Sequence, residues 1–278
     1  MKLTISEIMK NIEELKPLPI TAVKFAEAVA DTNSEISDFV KIIKMDQAIT
    51  ANVLRLANSA SSGSSREITD LKSAVVRLGG KRILTDIVSK YFSKSMSQEI
   101  AMYGYEESNS WRHSVAAAIA TTNIAKLATK PLPVGSFVAA LMHDIGKLVI
   151  SRNINDEAID KINLFASEEV SFLDAEKEVL GFTHCEAGFE LATKWGLPEY
   201  ISQSIGEHHN PTVKGEIIDI VKLSNYIAKV LGEGVGSEGM QFEIGEDIFE
   251  RVGINIDHFE MICANTSIDF IKSIKEFS

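Results

Sequence analysis

The feature that most constrains the fold is the spacing of apolar side chains, which recur every three or four residues along nearly the whole chain. In residues 4–15 these positions are Ile5, Ile8, Met9, Ile12 and Leu15. This spacing places them on one face of an α-helix. No segment alternates apolar and polar residues over six positions between turn signals, as a half-buried strand would. The sequence therefore predicts an all-α fold.

Turn and capping residues divide this pattern into successive helices. Lys16-Pro-Leu-Pro19 interrupts the first helix, and residues 60–66 are small and polar, which indicates a loop. Asp46 is a predicted N-cap, Gly79 a predicted C-cap, and Thr183-His-Cys-Glu186 has the pattern of a capping box. Helices are predicted near residues 71–79, 81–96, 155–166, 171–180, 215–231 and 257–277.

Charge and cysteine content exclude several classes of protein. With 28 Lys and Arg against 39 Asp and Glu, the 278 residues carry a formal charge of −11. An acidic surface repels phosphate backbones, so non-specific nucleic-acid binding is not expected, although a small phosphorylated ligand needs only a local positive cluster. Neither Cys185 nor Cys263 lies in a CxxC motif, which fits a reducing compartment. No signal-peptide pattern or membrane-spanning apolar run is found, so a cytoplasmic protein without membrane association is predicted.

We predict three parts along the chain. Residues 1–100 form an N-terminal helical subdomain, residues 105–231 form a second helical subdomain, and residues 232–278 contain a glycine-rich linker and a C-terminal helix. The linker has glycines at positions 232, 234, 236 and 239 and lacks the Lys-Ser/Thr of a phosphate-binding loop. The C-terminal helix is compatible with packing on the domain and with forming a homodimer.

The histidines point to a site. None of the six lies in the first 112 residues, and five fall between positions 113 and 209, namely His113, His143, His184, His208 and His209. Asp144 directly follows His143 at the end of an apolar helix, where a buried carboxylate needs a metal or Lys147 as its partner. Imidazole and carboxylate in adjacent positions can ligate one divalent ion, or the carboxylate can bridge two.

These residues resemble the HD phosphohydrolase superfamily, and most of all its HD-GYP cyclic dinucleotide phosphodiesterases, through His113, Ala140-Leu-Met-His-Asp-Ile-Gly-Lys147, His184 and His208-His209. The N-terminal half resembles the HDOD domain, the HD-related output domain of bacterial signalling proteins. The motifs that carry this resemblance are Lys16-Pro-Leu-Pro19, Met45-Asp-Gln-Ala-Ile49, Val53-Leu-Arg-Leu-Ala-Asn-Ser-Ala60 and Ala74-Val-Val-Arg-Leu-Gly79. The two blocks together cover about residues 10–230.

The resemblance implies a set of metal ligands. A first ion would be held by His113, His143 and Asp144, and the position of its later aspartate ligand is occupied by Asn225. A second ion would share Asp144 and take three further histidines, His184, His208 and His209. The implied cofactor is one or two divalent transition ions: iron, manganese, nickel or zinc.

The resemblance also implies catalytic roles for Asp144 and for Lys147, which would contact a substrate phosphate. The GYP triplet is missing, because Asn-Pro-Thr-Val-Lys follows His209. The glutamate that sometimes adds a third metal is replaced by Asn109.

Three functions remain open from sequence. The first is a non-catalytic signalling module that binds a partner protein or a nucleotide through the HD cleft. The second is a metal-dependent phosphohydrolase that acts on a nucleotide or cyclic dinucleotide. The third is a set of vestigial, metal-free histidines held by hydrogen bonds to one another and to Asp144.

Overall fold

The computed structural model describes residues 4–10, 20–30, 33–59, 68–80, 82–84, 86–87, 109–166, 170–235, 244–245 and 247–275. All regular structure in these ranges is helical, which confirms the all-α prediction. The helices are α1 (Ile5–Lys10), α2 (Ile20–Ala30), α3 (Ile36–Ile43), α4 (Gln47–Ala57), α5 (Leu71–Leu78), α6 (Asn109–Leu127), α7 (Ser136–Met142), α8 (Ile145–Ser151), α9 (Asp156–Phe165), α10 (Phe172–Leu180), α11 (His184–Lys194), α12 (Glu199–Glu207), α13 (Glu216–Val230), α14 (Ile248–Val252) and α15 (Ile256–Lys275).

The predicted helix ends form for the expected reasons. The side chain of Asp46 accepts hydrogen bonds from two backbone N–H groups at the start of α4. The Thr183 and Glu186 side chains cap the first turn of α11 reciprocally. Gly79 ends α5 at a φ of 74°, which a residue with a Cβ rarely adopts. The predicted break at 16–19, the loop at 60–66, most of the helix at 81–96 and Gly236 and Gly239 lie outside the described residues.

Helix α6 is the central element of the second half of the chain. It packs against α7, α13 and α15. Its middle carries alanines at positions 116–118 that are fully buried, and such small side chains let neighbouring helices approach closely. The C-terminal helix α15 packs on α6 through Ile262 and Phe270, and the buried Thr266 hydroxyl lies 3.2 Å from the Asn123 amide. Packing on the domain is thus one role of α15, and its role in a homodimer stays a prediction.

The N-terminal helices share a continuous apolar core with the histidine-bearing half. Ile8, Phe25 and Val53 belong to the same buried cluster as Phe137 and Leu148. The Lys194 ammonium also donates to the backbone carbonyl of Met9. The domain boundaries near residue 100 and at 231 remain predictions. Among the helices of the described ranges, none has the length and apolar composition needed to cross a bilayer.

Helices α8 and α11 cross at Gly146. A Cβ at this position would overlap the backbone carbonyl of His184 and would lie 2.7 Å from the backbone nitrogen of Gly188. The absence of a side chain therefore sets how closely the start of α11 approaches the turn that carries Asp144.

We predict that Gly146→Ala destabilises the protein, because the added methyl group must push α8 and α11 apart. The expected loss is about 1–3 kcal/mol in the free energy of unfolding, measured by urea denaturation. Gly206→Ala is the matched control, since the nearest atoms to its Cβ would be those of the Phe189 side chain, at 3.2–3.5 Å. Equal stability of Gly146→Ala and the wild type would contradict this account of the crossing.

Candidate metal centre

The five predicted histidines and Asp144 converge from four places in the fold. His113 lies in the first turns of α6, and His143 and Asp144 form the turn between α7 and α8. His184 is the first residue of α11, and His208 and His209 follow the last turn of α12. Helix ends meet here, so side chains reach a common point without filling the core between helix axes.

A lysine fixes the loop after the last two histidines. The ammonium of Lys222 in α13 donates to the backbone carbonyls of Asn210 at 2.5 Å and Val213 at 2.6 Å. These carbonyls follow the end of α12, where backbone acceptors lack helical partners. The interaction holds the His208-His209 pair against the rest of the cluster.

The ligating atoms form two groups that share Asp144. Nε2 of His143 lies 3.3 Å from Oδ2 of Asp144 and 3.3 Å from Nε2 of His113. On the other side, Oδ1 of Asp144 lies 3.5 Å from Nε2 of both His184 and His208. Within each group the candidate ligand atoms, those of His209 included, lie within 4.8 Å of one another. Atoms that ligate one ion at about 2.0–2.2 Å lie at separations from one another similar to those within each group, so either group could enclose an ion.

In four of the histidines Nδ1 is fixed as a hydrogen-bond donor. Nδ1 donates to a backbone carbonyl in three of them: His113 to Glu233 at 2.9 Å, His143 to Ala140 at 2.7 Å and His208 to Ile205 at 2.7 Å. Nδ1 of the fourth, His184, donates to the carboxylate of Glu176 at 2.9 Å. A neutral imidazole that donates from Nδ1 keeps a lone pair on Nε2, and metal-binding histidines are usually oriented in this way.

Glu176 was not identified from the sequence. It is completely buried in α10, and its carboxylate also accepts from the backbone N–H of His184 at 2.8 Å. One signal was present, because Phe172, Glu176 and Leu180 are four residues apart on the apolar face of a single helix. A carboxylate in an apolar stripe needs a buried partner, and here that partner is a candidate metal ligand.

The start of the predicted glycine-rich linker is an ordered turn of the site. Gly234 has a φ of 60°, and a Cβ there would lie 2.8 Å from that of His113. The preceding residue, Glu233, gives its carbonyl to His113 and its carboxylate to Arg112, whose Nη2 lies 2.6 Å away. The guanidinium of Arg112 in turn lies over the Phe270 ring, 5.0 Å from its centroid. Sequence reasoning missed Arg112 and Glu233, because each contacts a residue that lies more than 100 positions away along the chain.

Lys147 lies within the cluster. Its ammonium donates to Oδ2 of Asp144 at 2.8 Å, and the whole residue is buried. Burial alone would raise the pKa of Asp144, but the neighbouring His143 imidazole and Lys147 ammonium outweigh it and hold that pKa well below its usual range. Asp144 is therefore a carboxylate at neutral pH.

The two groups of histidines have opposite proton affinities. Burial, reinforced by the neighbouring His143, lowers the pKa of His113 to about 3. Burial also favours neutral His208, but Cys185, whose Sγ lies 3.7 Å away, together with Asp144 raises its pKa to about 9. Burial likewise favours a neutral His184, yet Glu176 raises the pKa of that imidazole well above its usual value.

The donor set suits a first-row transition ion. Imidazole nitrogens dominate it, and one carboxylate adds negative charge. Oδ1 of Asp144 and Nε2 of His208 are buried and have no hydrogen-bond partner among the described residues, as expected of atoms that face an ion. Of the two amides at predicted ligand positions, Asn225 lies in the cluster, with Oδ1 3.1 Å from Nε2 of His113, and Asn109 is the first residue of α6, one turn before His113.

An all-helical fold with a His-Asp pair among four further histidines defines an HD-like protein. The HDOD domain profile matches residues 15–211, and the chain belongs to the HDOD domain family. This finding confirms the resemblance in the sequence.

Solved structures of similar fold come from several bacteria. An HDOD domain protein of unknown function from Geobacter sulfurreducens is 26% identical, with a TM-score of 0.67 and coverage of 97% of this chain and 94% of that one. A protein from Marinobacter aquaeolei VT8, provisionally described as a signal transduction protein, is 18% identical, with a TM-score of 0.70 and coverage of 97% and 61%. One from Shewanella amazonensis SB2B, provisionally described as a phosphohydrolase, is 21% identical, with a TM-score of 0.62 and coverage of 98% of both chains.

A curated relative extends beyond this chain. An uncharacterised protein of Treponema pallidum (strain Nichols) is 24% identical over 233 residues, which are 81% of this chain and 44% of the relative. This chain therefore spans less than half the length of that protein.

We predict that metal affinity falls as the pH is lowered below about 9. His208, with a pKa of about 9, is protonated at neutral pH in the metal-free cluster, so an ion must displace its proton. Each displaced proton weakens apparent binding about tenfold per pH unit below the pKa. Calorimetric titration with Zn²⁺ at pH 6.5, 7.5 and 8.5 measures the trend, and buffers of different ionisation enthalpy count the protons released. A constant affinity across this range would contradict the protonated state of the cluster.

Proposed function

We propose that this chain is a non-catalytic HDOD signalling module whose buried His-Asp cluster binds a divalent transition metal. The observation that carries this proposal is the state of Lys147. Its ammonium is bonded to Asp144 and shielded from solvent, so it is not presented to a substrate phosphate. An enzyme of the HD-GYP type would need this cation at the substrate.

Burial of the cluster supports the same conclusion. Asp144 and its four nearest histidines have side chains that are at most 3% exposed. These histidines are His113, His143, His184 and His208. A phosphodiester must reach the ions that activate it, and these five side chains are shielded from solvent, whereas His209 is partly exposed. A bound ion would neutralise the carboxylate and tie the turn after α7 to the helix ends that carry its histidine ligands. Iron, manganese, nickel and zinc are all suited to such imidazole-rich ligands.

The partner and location are part of this proposal. A signalling module acts by binding another protein, and a nucleotide in the HD cleft is the second candidate ligand. The name of the Marinobacter aquaeolei VT8 protein supports a signalling role in the group of similar folds. A cytoplasmic location is supported by the two cysteines, both of which are free thiols.

A second candidate function is metal-dependent hydrolysis of a phosphodiester. The observation in its favour is that six of the ligand positions implied by the family keep metal-binding side chains and lie together around Asp144. Bound ions would supply the Lewis acidity of that reaction. In this alternative Asp144 would position the ions, and Lys147 would leave Asp144 to neutralise the substrate phosphate.

We predict that metal removal destabilises the protein. Protein purified without a histidine tag should contain about one ion per chain or more by elemental analysis. A ligand present at about 100 times its Kd stabilises by about 2.7 kcal/mol, so chelation should lower the Tm by about 5–10 °C, and re-addition of the metal should restore it. Far less than one ion per chain after growth in metal-supplemented medium would refute the metal site.

We predict that the metal-loaded protein does not hydrolyse a panel of linear phosphodiesters, nucleotides and cyclic dinucleotides above background. His143→Ala and Asp144→Ala are the controls, because both remove metal ligands that the family resemblance implies. Turnover that is lost in both variants would overturn the non-catalytic assignment in favour of the hydrolase, whereas turnover that survives both belongs to a contaminant.

A further inference from the structure

We propose that the cluster binds a single ion, held by Asp144, His184, His208 and His209, and that Asn225 and Lys147 occupy the place of a second one. This inference rests on the proposed metal site and specifies its occupancy. The two halves of the cluster differ in hydrogen bonding and in charge, and both differences favour the same half.

The half that contains His113 satisfies its own polar atoms. Nδ1 of His113 donates to the carbonyl of Glu233, so Nε2 carries the lone pair that an ion would need. The Asn225 amide lies 3.1 Å from this nitrogen. A half-turn of that amide keeps its shape and places the NH₂ group there as a hydrogen-bond donor. The lone pair of His113 is then taken by a neutral side chain.

Lys147 removes the second ligand of this half. Its ammonium donates to Oδ2 of Asp144 at 2.8 Å, and Oδ2 is the oxygen that faces His113 and His143. A cation beside this oxygen repels a metal ion and competes for the same lone pairs. Nε2 of His143 remains as one neutral donor, and one imidazole alone does not retain a divalent ion.

The candidate ligand atoms of the other half face a common point. Oδ1 of Asp144 lies 3.5 Å from Nε2 of His184 and from Nε2 of His208. Oδ1 of Asp144 and Nε2 of His208 have no hydrogen-bond partner in the described part of the chain. The third imidazole, that of His209, lies 4.3 Å from the ring of His208 and 5.2 Å from that of His184, centroid to centroid.

Charge also favours this half. The buried carboxylate of Glu176 accepts a hydrogen bond from Nδ1 of His184. An ion at this half would therefore contact the carboxylate of Asp144 directly and that of Glu176 through the His184 imidazole. At the other half the corresponding fourth position is the neutral Asn225. Because a buried ion needs compensating negative charge, binding is expected at the half that has two carboxylates.

A pair of matched variants tests the assignment. His113→Asn and His208→Asn each remove one imidazole and keep an N–H donor near the former Nδ1. We expect His113→Asn to retain one Co²⁺ per chain with an unchanged visible absorption spectrum, and His208→Asn to lose binding by at least a hundredfold. Glu176→Gln should weaken Co²⁺ binding about 10- to 100-fold. Glu178→Gln, an exposed glutamate on the same helix, should leave it unchanged.

Asn225→Asp is the converse experiment. It supplies the missing carboxylate, so the stoichiometry of Co²⁺ or Mn²⁺ should rise from one to two ions per chain. Two ions of similar affinity in the wild type, or loss of the ion in His113→Asn but not in His208→Asn, would overturn the single-ion assignment and leave the metal-binding function intact. Absence of any bound ion in the wild type would instead refute the proposed function itself.

Discussion

The buried carboxylate of Asp144 is the constraint on which the site depends. A charge with so little access to water must be compensated, and the surrounding helix ends supply a lysine and four imidazoles. Asp144 can lie there because the turn between α7 and α8 places it beside the start of α11, where Gly146 permits close backbone contact. Packing and charge are therefore coupled, since the glycine that brings the helices together also brings the histidines to the carboxylate.

Much of the fold followed from the sequence because its signals are local. Helical periodicity gave the all-α class, and capping residues placed the start of α4 and of α11 where the structure has them. The convergence of histidines up to 96 positions apart was implied by the family resemblance. Composition alone does not reveal which helix ends meet, since this depends on long-range packing.

The parts that escaped prediction are those whose role depends on a distant partner. The role of Glu176 depends on its contact with His184 at the start of α11, which the sequence of α10 alone does not indicate. Glu233 acts through its backbone carbonyl, which every residue possesses, so no residue type could have indicated it. The role of Lys147 was left open by the sequence, which offered it both as the partner of a buried Asp144 and as a contact to a substrate phosphate; the structure shows the first of these contacts.

The turn at Glu233 and Gly234 shows that the structural unit is longer than the family match. The profile ends at residue 211, yet three residues that contact the start of α6 follow it. Asn225 lies beside His113, Glu233 accepts a hydrogen bond from His113, and the Phe270 ring packs against Arg112. A fragment trimmed to the profile would expose one side of the histidine cluster to water. Helices α13 and α15 thus close one side of the site although they lie beyond the matched residues, so substitutions in either helix would alter the surroundings of His113 and Arg112 directly.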